Sequence, residues 1–298
     1  MTAVAAVAFS GKAIIVKLAY RHGVDAITLL ALRMLFAAPF FVLLAFWASS
    51  REGVVKLTRR EGWAIVGVGL LGYYAASLFD FLGLLYITVA LERLVLFLYP
   101  TFVVLYSMAF LSYRIARRDV FALVASYAGI ALVFLNDLST QSSNVALGTF
   151  LVLISALCYA GYLIGSGRLV ERVGGLRFSC FASLAACLGV AVHFLLVRDP
   201  ALLVQQPLPV YGWALLMATA STVLPIVLIT MGVRRLGSSK VAMIGTLGPV
   251  ATIFLGYAFL GEPITAIQLA GAALVMAGVL VIGLKRDSAS RKPAAVGG

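Results

Sequence analysis

Apolar residues in this chain come in pieces cut to the thickness of a lipid bilayer. A helix needs roughly 20 apolar residues to cross about 30 Å of hydrocarbon. Stretches of that length recur at about 2–20, 25–49, 62–86, 89–112, 119–136, 146–167, 176–197, 210–234, 238–260 and 264–284. Short polar links join them and leave little chain for a soluble domain. With 63% hydrophobic residues and a mean hydropathy of +1.08, the chain reads as an all-α membrane protein with ten transmembrane helices.

A net charge of +12 on a soluble protein points to nucleic acid or another acidic partner. Here the charges are sorted by topology instead. With a cytoplasmic N-terminus, the inside links and the tail hold 17 basic residues, from Arg51, Lys56, Arg59 and Arg60 through to Arg291 and Lys292. The outside links hold 3, Arg21, Arg93 and Arg198, while Lys12, Lys17 and Arg33 fall within spans. Basic residues favour cytoplasmic loops, so both termini are expected in the cytoplasm of a bacterium, on its inner membrane. The basic excess is then topological, and nucleic acid is not a partner. Cys158, Cys180 and Cys187 all lie in spans, an odd set that indicates neither a disulfide framework nor a metal site. The tail 285–298, rich in Lys, Arg, Ser and small residues, reads as disordered.

The chain repeats itself. Pro100, Ala109-Phe110-Leu111 and Ala128-Gly129 fall on Pro249, Ala258-Phe259-Leu260 and Ala277-Gly278 at an offset of 149 without a gap. The starts match at an offset of 150, with Gly11 on Gly161 and Phe9 on Tyr159. Five spans per repeat is an odd number, so the second copy enters the membrane upside down. The expected organisation is a first five-helix repeat at 1–136, a linker at 137–145 and a second, inverted repeat at 146–284. Secondary transporters use this architecture, with the substrate near the midplane between the halves.

The run Gly248-Pro249-Val250, Leu260-Gly261-Glu262-Pro263, Gln268-Leu269 and Gly271-Ala272-Ala273-Leu274 resembles the EamA family of the drug/metabolite transporter superfamily. Lys17-Leu18-Ala19 and Arg33 fall where that family often carries basic residues in its first two helices. The resemblance spans nearly the whole chain and is nearest to the ten-helix bacterial exporters of aromatic amino acids. It implies a cofactor-free exporter working by alternating access. The first repeat departs from the motif, with Ser112-Tyr113-Arg114 in place of Gly-Glu-Pro, and Phe9-Ser10 stands where the family often has Trp-Gly.

Pro100 and Pro249 sit about eleven residues into their spans, at the midplane from opposite sides. Each frees the carbonyl four residues back, those of Leu96 and Gly245. They are expected hinges, although packing alone also accommodates proline in a membrane helix. Charges inside spans are costly and point to function. At a rise of about 1.5 Å per residue, Lys12 and Arg33 lie about 12 Å and Asp80 about 9 Å from the outer ends, while Lys17 and Glu92 lie nearer the surface. Asp80 is expected to be held by Arg33 or Lys12. The alternatives are a structural salt bridge, a substrate-carboxylate anchor at Lys12 or Arg33, and a proton-carrying acid at Asp80. Lys17, Arg33 and Asp80 make up the expected charge network.

A pocket for a small amphiphile wants apolar walls with a few convergent polar groups. Tyr74, Tyr99, Tyr159 and Tyr162, with Ser10, Lys12, Ser77, Thr222 and Thr246, lie at one central level and form the candidate substrate site. Helix packing is the competing role for each, as it is for Gly161-x-x-x-Gly165. The sequence shows no His-Glu-x-x-His, no paired intramembrane acids and no phosphate loop, so neither an enzyme nor an ATP-driven pump is expected. The preferred reading is an exporter of aromatic or neutral amino acids. The alternatives are an exporter of another metabolite or drug class, and a membrane sensor or scaffold that does not transport. A monomer satisfies the pattern.

Overall fold

The structure is a computed structural model, and it describes residues 2–50, 55–111, 117–140, 144–236, 241, 245 and 248–290. Every regular element among the described residues is helical. The helices are α1 (Thr2–Tyr20), α2 (Ala26–Ser49) and α3 (Arg59–Gly69, continuing through Leu70–Ala75 into Ala76–Gly83). Then come α4 (Val89–Leu96), α5 (Tyr99–Leu111), α6 (Arg117–Thr140), α7 (Val145–Val173) and α8 (Gly175–Val197). A 3-10 turn at Pro200–Leu203 leads to α9 (Leu208–Ala218, continuing through Thr219–Val223 into Leu224–Leu236). The last two are α10 (Gly248–Leu255 with Gly256–Leu260) and α11 (Ala266–Ser290). Seven helices among the described residues are long and apolar enough to cross a membrane, and two shorter apolar helices follow at Gly248–Leu260 and Ala266–Leu280.

Local chemistry sets the ends. Asp25 accepts from the backbone of Ile27 and Thr28, and Thr58 with Glu61 forms a reciprocal capping box. Thr88 accepts from the Leu91 N–H, and Asn144 accepts from that of Leu147. Each satisfies helix-start donors that would otherwise lack a partner. Gly174, at φ 88°, makes the one-residue turn between α7 and α8 in a backbone region that favours glycine. Large apolar side chains such as Phe46, Trp63 and Leu196, each more than 75% exposed, face outward, as a lipid-facing surface requires.

Three regions depart from the sequence expectation. The span beginning at Val89 is broken: α4 ends at Leu96, and Pro100 is the second residue of the next helix. Pro100 therefore occupies a first turn, where its missing N–H costs nothing. Pro249 follows Gly248 in α10, and residues 246–247 before it lie outside the described residues. Helix α6 runs to Thr140, past the expected boundary at 136, and α11 runs to Ser290, so the first residues of the expected disordered tail are helical. Finally, α3 and α9 each contain a π-helical segment, Leu70–Ala75 and Thr219–Val223, which no residue pattern announced. The two segments start at positions related by the repeat offset of 149.

Packing does not follow chain order. Helix α7 packs on α3, α4 and α5, whereas α1 packs on α9 and α10. The first helix of each sequence half has thus crossed into a bundle with helices of the other half. Helix α2 lies along α8, and α6 along α11. The α6–α11 seam is very close: a Cβ at Gly129 would stand 2.6 Å from the Gly271 carbonyl oxygen, and the reverse holds at Gly271. Small residues permit such backbone approach where lipid supplies no hydrophobic drive.

Candidate functional site

The seam between the two bundles, where α1 meets α3 and α4, holds a buried charge cluster. Lys12 lies 2.6 Å from Asp80 Oδ2 and 3.8 Å from Glu92 Oε1. Asp80 and Glu92 are 1% and 0% exposed. Arg93 donates to Ser10 Oγ at 2.9 Å and to Thr252 Oγ1 at 3.2 Å, and Ser10 donates to the Gly248 carbonyl at 3.2 Å. This chain of contacts ties α4, α1 and α10 together. On the far side of Asp80, Arg33 donates from Nε to Thr222 Oγ1 at 2.9 Å and lies 5.5 Å over the Phe81 ring. Three cations and two carboxylates thus share a buried interior. Charges there are tolerated only when partners replace the lost hydration.

A second set of contacts seals the end of the bundle above this cluster. Glu262, in the turn after α10, is 3.7 Å from Lys17 and accepts from the Val89 N–H at 3.2 Å. Gly261, at φ 72°, turns the chain so that Glu262 can cap the first turn of α4. Thr88 donates to Asp137 at 2.6 Å, and Tyr20 donates to the Phe81 carbonyl at 2.8 Å. Burial pushes the Glu262 carboxyl above the usual carboxylate range, with Lys17 opposing it. A cleft of about 430 Å³ opens here, lined by Lys17, Tyr20, Arg21, Leu84, Leu260 and Glu262 among others.

Next to the charges runs an aromatic ladder. Phe97 meets Tyr99 at 6.2 Å between ring centroids, Tyr99 meets Tyr159 at 5.2 Å, and Tyr159 stacks on Tyr162 at 5.6 Å. Tyr162 meets Tyr73 edge-on at 5.1 Å, with their hydroxyls 3.0 Å apart. Edge-to-face and offset arrangements at these separations are the favourable ones. Arg93, 6.0 Å over Phe97, joins the ladder to the charge cluster.

The structure brings together Ser10, Lys12, Asp80 and the ladder residues Tyr99, Tyr159 and Tyr162. Of the two expected partners of Asp80, it is Lys12 that pairs. Arg33 is held by Thr222, and Lys17 pairs with Glu262 instead of entering the network. Tyr74 does not join the ladder; its ring lies 5.8 Å from that of His193. Ser77 is half-buried on α3, and Thr246 lies outside the described residues. Sequence reasoning missed Glu92, Arg93, Tyr73 and Glu262. Arg93, read as an outside-link charge, is 4% exposed and bridges three helices. The sequence also showed no paired intramembrane acids, whereas folding sets Glu92 beside Asp80. The signal for Glu92 and Arg93 was an adjacent acid and base flanked on both sides by apolar residues, Val89-Ala90-Leu91 and Leu94-Val95-Leu96.

The EamA-like transporter family matches residues 1–135 and again 146–284. The uncharacterized transporter YcbK of Bacillus subtilis (strain 168) is 31% identical over 270 residues, which cover 89% of this chain and 86% of YcbK. The uncharacterized transporter YyaM of the same organism is 24% identical, over 82% of this chain and 79% of its own length. A crystal structure at 18% identity superposes with a TM-score of 0.65 and covers 96% of both chains, a likeness in fold. With its apolar helices, its buried charges and these matches, this multi-pass membrane protein belongs to the EamA-like transporter family.

Proposed function

We propose that the protein is a secondary transporter that exports small amphiphilic metabolites, aromatic or other neutral amino acids, across a bacterial inner membrane. In this reading it has ten spans in two inverted repeats, 1–136 and 146–284, with both termini cytoplasmic. The separate family matches to 1–135 and 146–284 support the repeat. With Arg93 moved into the interior, the basic bias becomes 17 inside to 2 outside. The Lys17–Glu262 end is then periplasmic, and the structure corresponds to an outward-closed state.

One observation carries the reading. An aromatic ladder and a cluster of cations and carboxylates meet at Arg93, on the seam between two bundles that have exchanged their first helices. Tyr99 and Tyr159 offer apolar walls to a ring or aliphatic side chain, and the adjoining charges suit a zwitterion's carboxylate and ammonium. The cross-bundle polar contacts described above all hold α1 or α10 to α3 or α4. Releasing them while closing the opposite end is alternating access, with bending at Pro100 and Pro249. Because apolar pockets separate side chains by only about 1–3 kcal/mol, specificity is broad.

The test is flux of labelled phenylalanine and tryptophan in liposomes with and without the protein. Flux above background that falls in Tyr159→Ala supports the reading. Flux of another solute class alone moves the substrate assignment, and no flux of any solute favours a sensor or scaffold.

A further inference from the structure

Glu92 has no task in the reading above. Its side chain is fully buried, and neither carboxyl oxygen receives a hydrogen bond from a donor among the described residues. The Lys12 ammonium spends its short contact on Asp80 at 2.6 Å and stops 3.8 Å from Glu92. The Asp80 carboxyl thus shares the Lys12 ammonium with Glu92, and Asp80 Oδ1 also lacks a donor among the described residues. Two ionised carboxylates placed this way repel each other in a medium that screens poorly. One carboxylic acid between them removes the repulsion and supplies the missing donor.

The other charges nearby do not take over that role. Arg93, on the same helix as Glu92, is engaged by Ser10 and Thr252. Arg33 of α2 is held by Thr222 of α9. Lys17 of α1 pairs with Glu262 after α10, and Asp137 of α6 is bound by Thr88. Tyr159 of α7 stacks in the ladder. Lys12 is therefore the cation shared by both acids.

We propose that Glu92 and Asp80 form a two-carboxylate site that holds one proton, as a Glu92 carboxylic acid donating to the Asp80 carboxylate, and that this proton is the coupling ion of transport. The proton is taken from water when the seam opens on the periplasmic side. It is enclosed when α1 closes on α3 and α4, and returned to water on the cytoplasmic side as solute moves outward. Only the Glu92 O–H bond forms and breaks. Ionised, Glu92 competes with Asp80 for Lys12, so proton loss rearranges the contact that closes the seam. The coupling half of this inference rests on the transport reading; the proton site rests on geometry alone.

Two measurements on the full-length protein separate these halves. Infrared spectra of purified wild type at neutral pH should contain a carboxylic-acid carbonyl band that is lost on alkalinisation and missing from Glu92→Gln. Asp80→Asn, a second route should Glu92→Gln fold poorly, should shift that band, and Glu61→Gln should leave it unchanged. A Glu92→Gln spectrum identical to that of wild type overturns the proton site. In liposomes, a pH gradient of about one unit should shift the steady-state phenylalanine ratio by up to about tenfold for one proton per solute, and Glu92→Gln should abolish this response. Phenylalanine flux that ignores the gradient in wild type overturns the coupling and leaves the transport reading standing. With the infrared band present and no amino-acid flux, the proton site stands and the solute assignment fails.

Discussion

The charged seam and the aromatic ladder are built from opposite chemistries, yet residues of the two fall at equivalent places in the two sequence halves. Lys12 and Tyr162 correspond at the offset of 150, and Tyr73 and Thr222 correspond at 149. Lys12 reaches across from one bundle to Asp80 in the other, at 2.6 Å. Tyr162 turns to Tyr73, a neighbour in its own bundle, at 3.0 Å between hydroxyls. Ions in an interior are expensive to leave unpaired, so the charged seam favours one set of partners. Phenols bury area and ask for a single hydrogen bond each, so the ladder is less particular about its partners. Unequal chemistry makes the seam the stricter of the two in its choice of partners.

The sharpest way to break this contrast is to remove the cation. Lys12→Met leaves two buried acids without their shared partner and should cost about 3–5 kcal/mol at neutral pH, read as a loss of thermal stability in detergent. The double variant Lys12→Met/Asp80→Asn should recover most of it, and equal loss in both would show that Lys12 matters through packing. On the aromatic side the largest effect should come from shape. A Cβ at Gly72 would fall 2.3–2.5 Å from the Tyr162 ring and its Cβ, atoms close to the backbone that cannot swing away. Gly72→Ala should therefore destabilise by about 1–3 kcal/mol. Tyr73→Phe removes one hydroxyl contact and should cost about 1 kcal/mol. If it costs as much as Lys12→Met, the ladder is as rigid as the seam and the contrast fails.

The smallest effect concerns Glu262, whose carboxyl is raised by burial. A raised carboxyl contributes stability that is present at acid pH, below its unfolded value, and lost as pH rises through its folded value. Melting temperature in wild type should therefore fall slightly across that window, and Glu262→Gln should flatten the fall. A steeper fall in the variant would mean that the ionised form, capping Val89, is the stabilising one.

Much of the site was legible before folding. Apolar runs of bilayer length located the helices, and single charges inside such runs marked Lys12, Arg33 and Asp80. Glu92 and Arg93 were not legible, because an acid and a base in the first turn of a span look like interfacial residues. Only the break before Tyr99, and the packing of α7, α10 and α1 around α4, bury that turn. Tyr74 was preferred over Tyr73 for a related reason. The π segment Leu70–Ala75 adds a residue to the turn and shifts the phase of the helix, so the neighbouring tyrosine faces Tyr162. Glu262 was visible only as part of a motif, since its partner Val89 lies 173 positions away.

That last contact has a consequence for measurement. The Val89 amide belongs to a helix whose first donors have no acceptor of their own, and its acceptor is carried on a different bundle. Any separation of α10 from α4 must strip it. Deuterium uptake at this single backbone position therefore counts how often the protein opens at that end, with no label, no known solute and no mutation required.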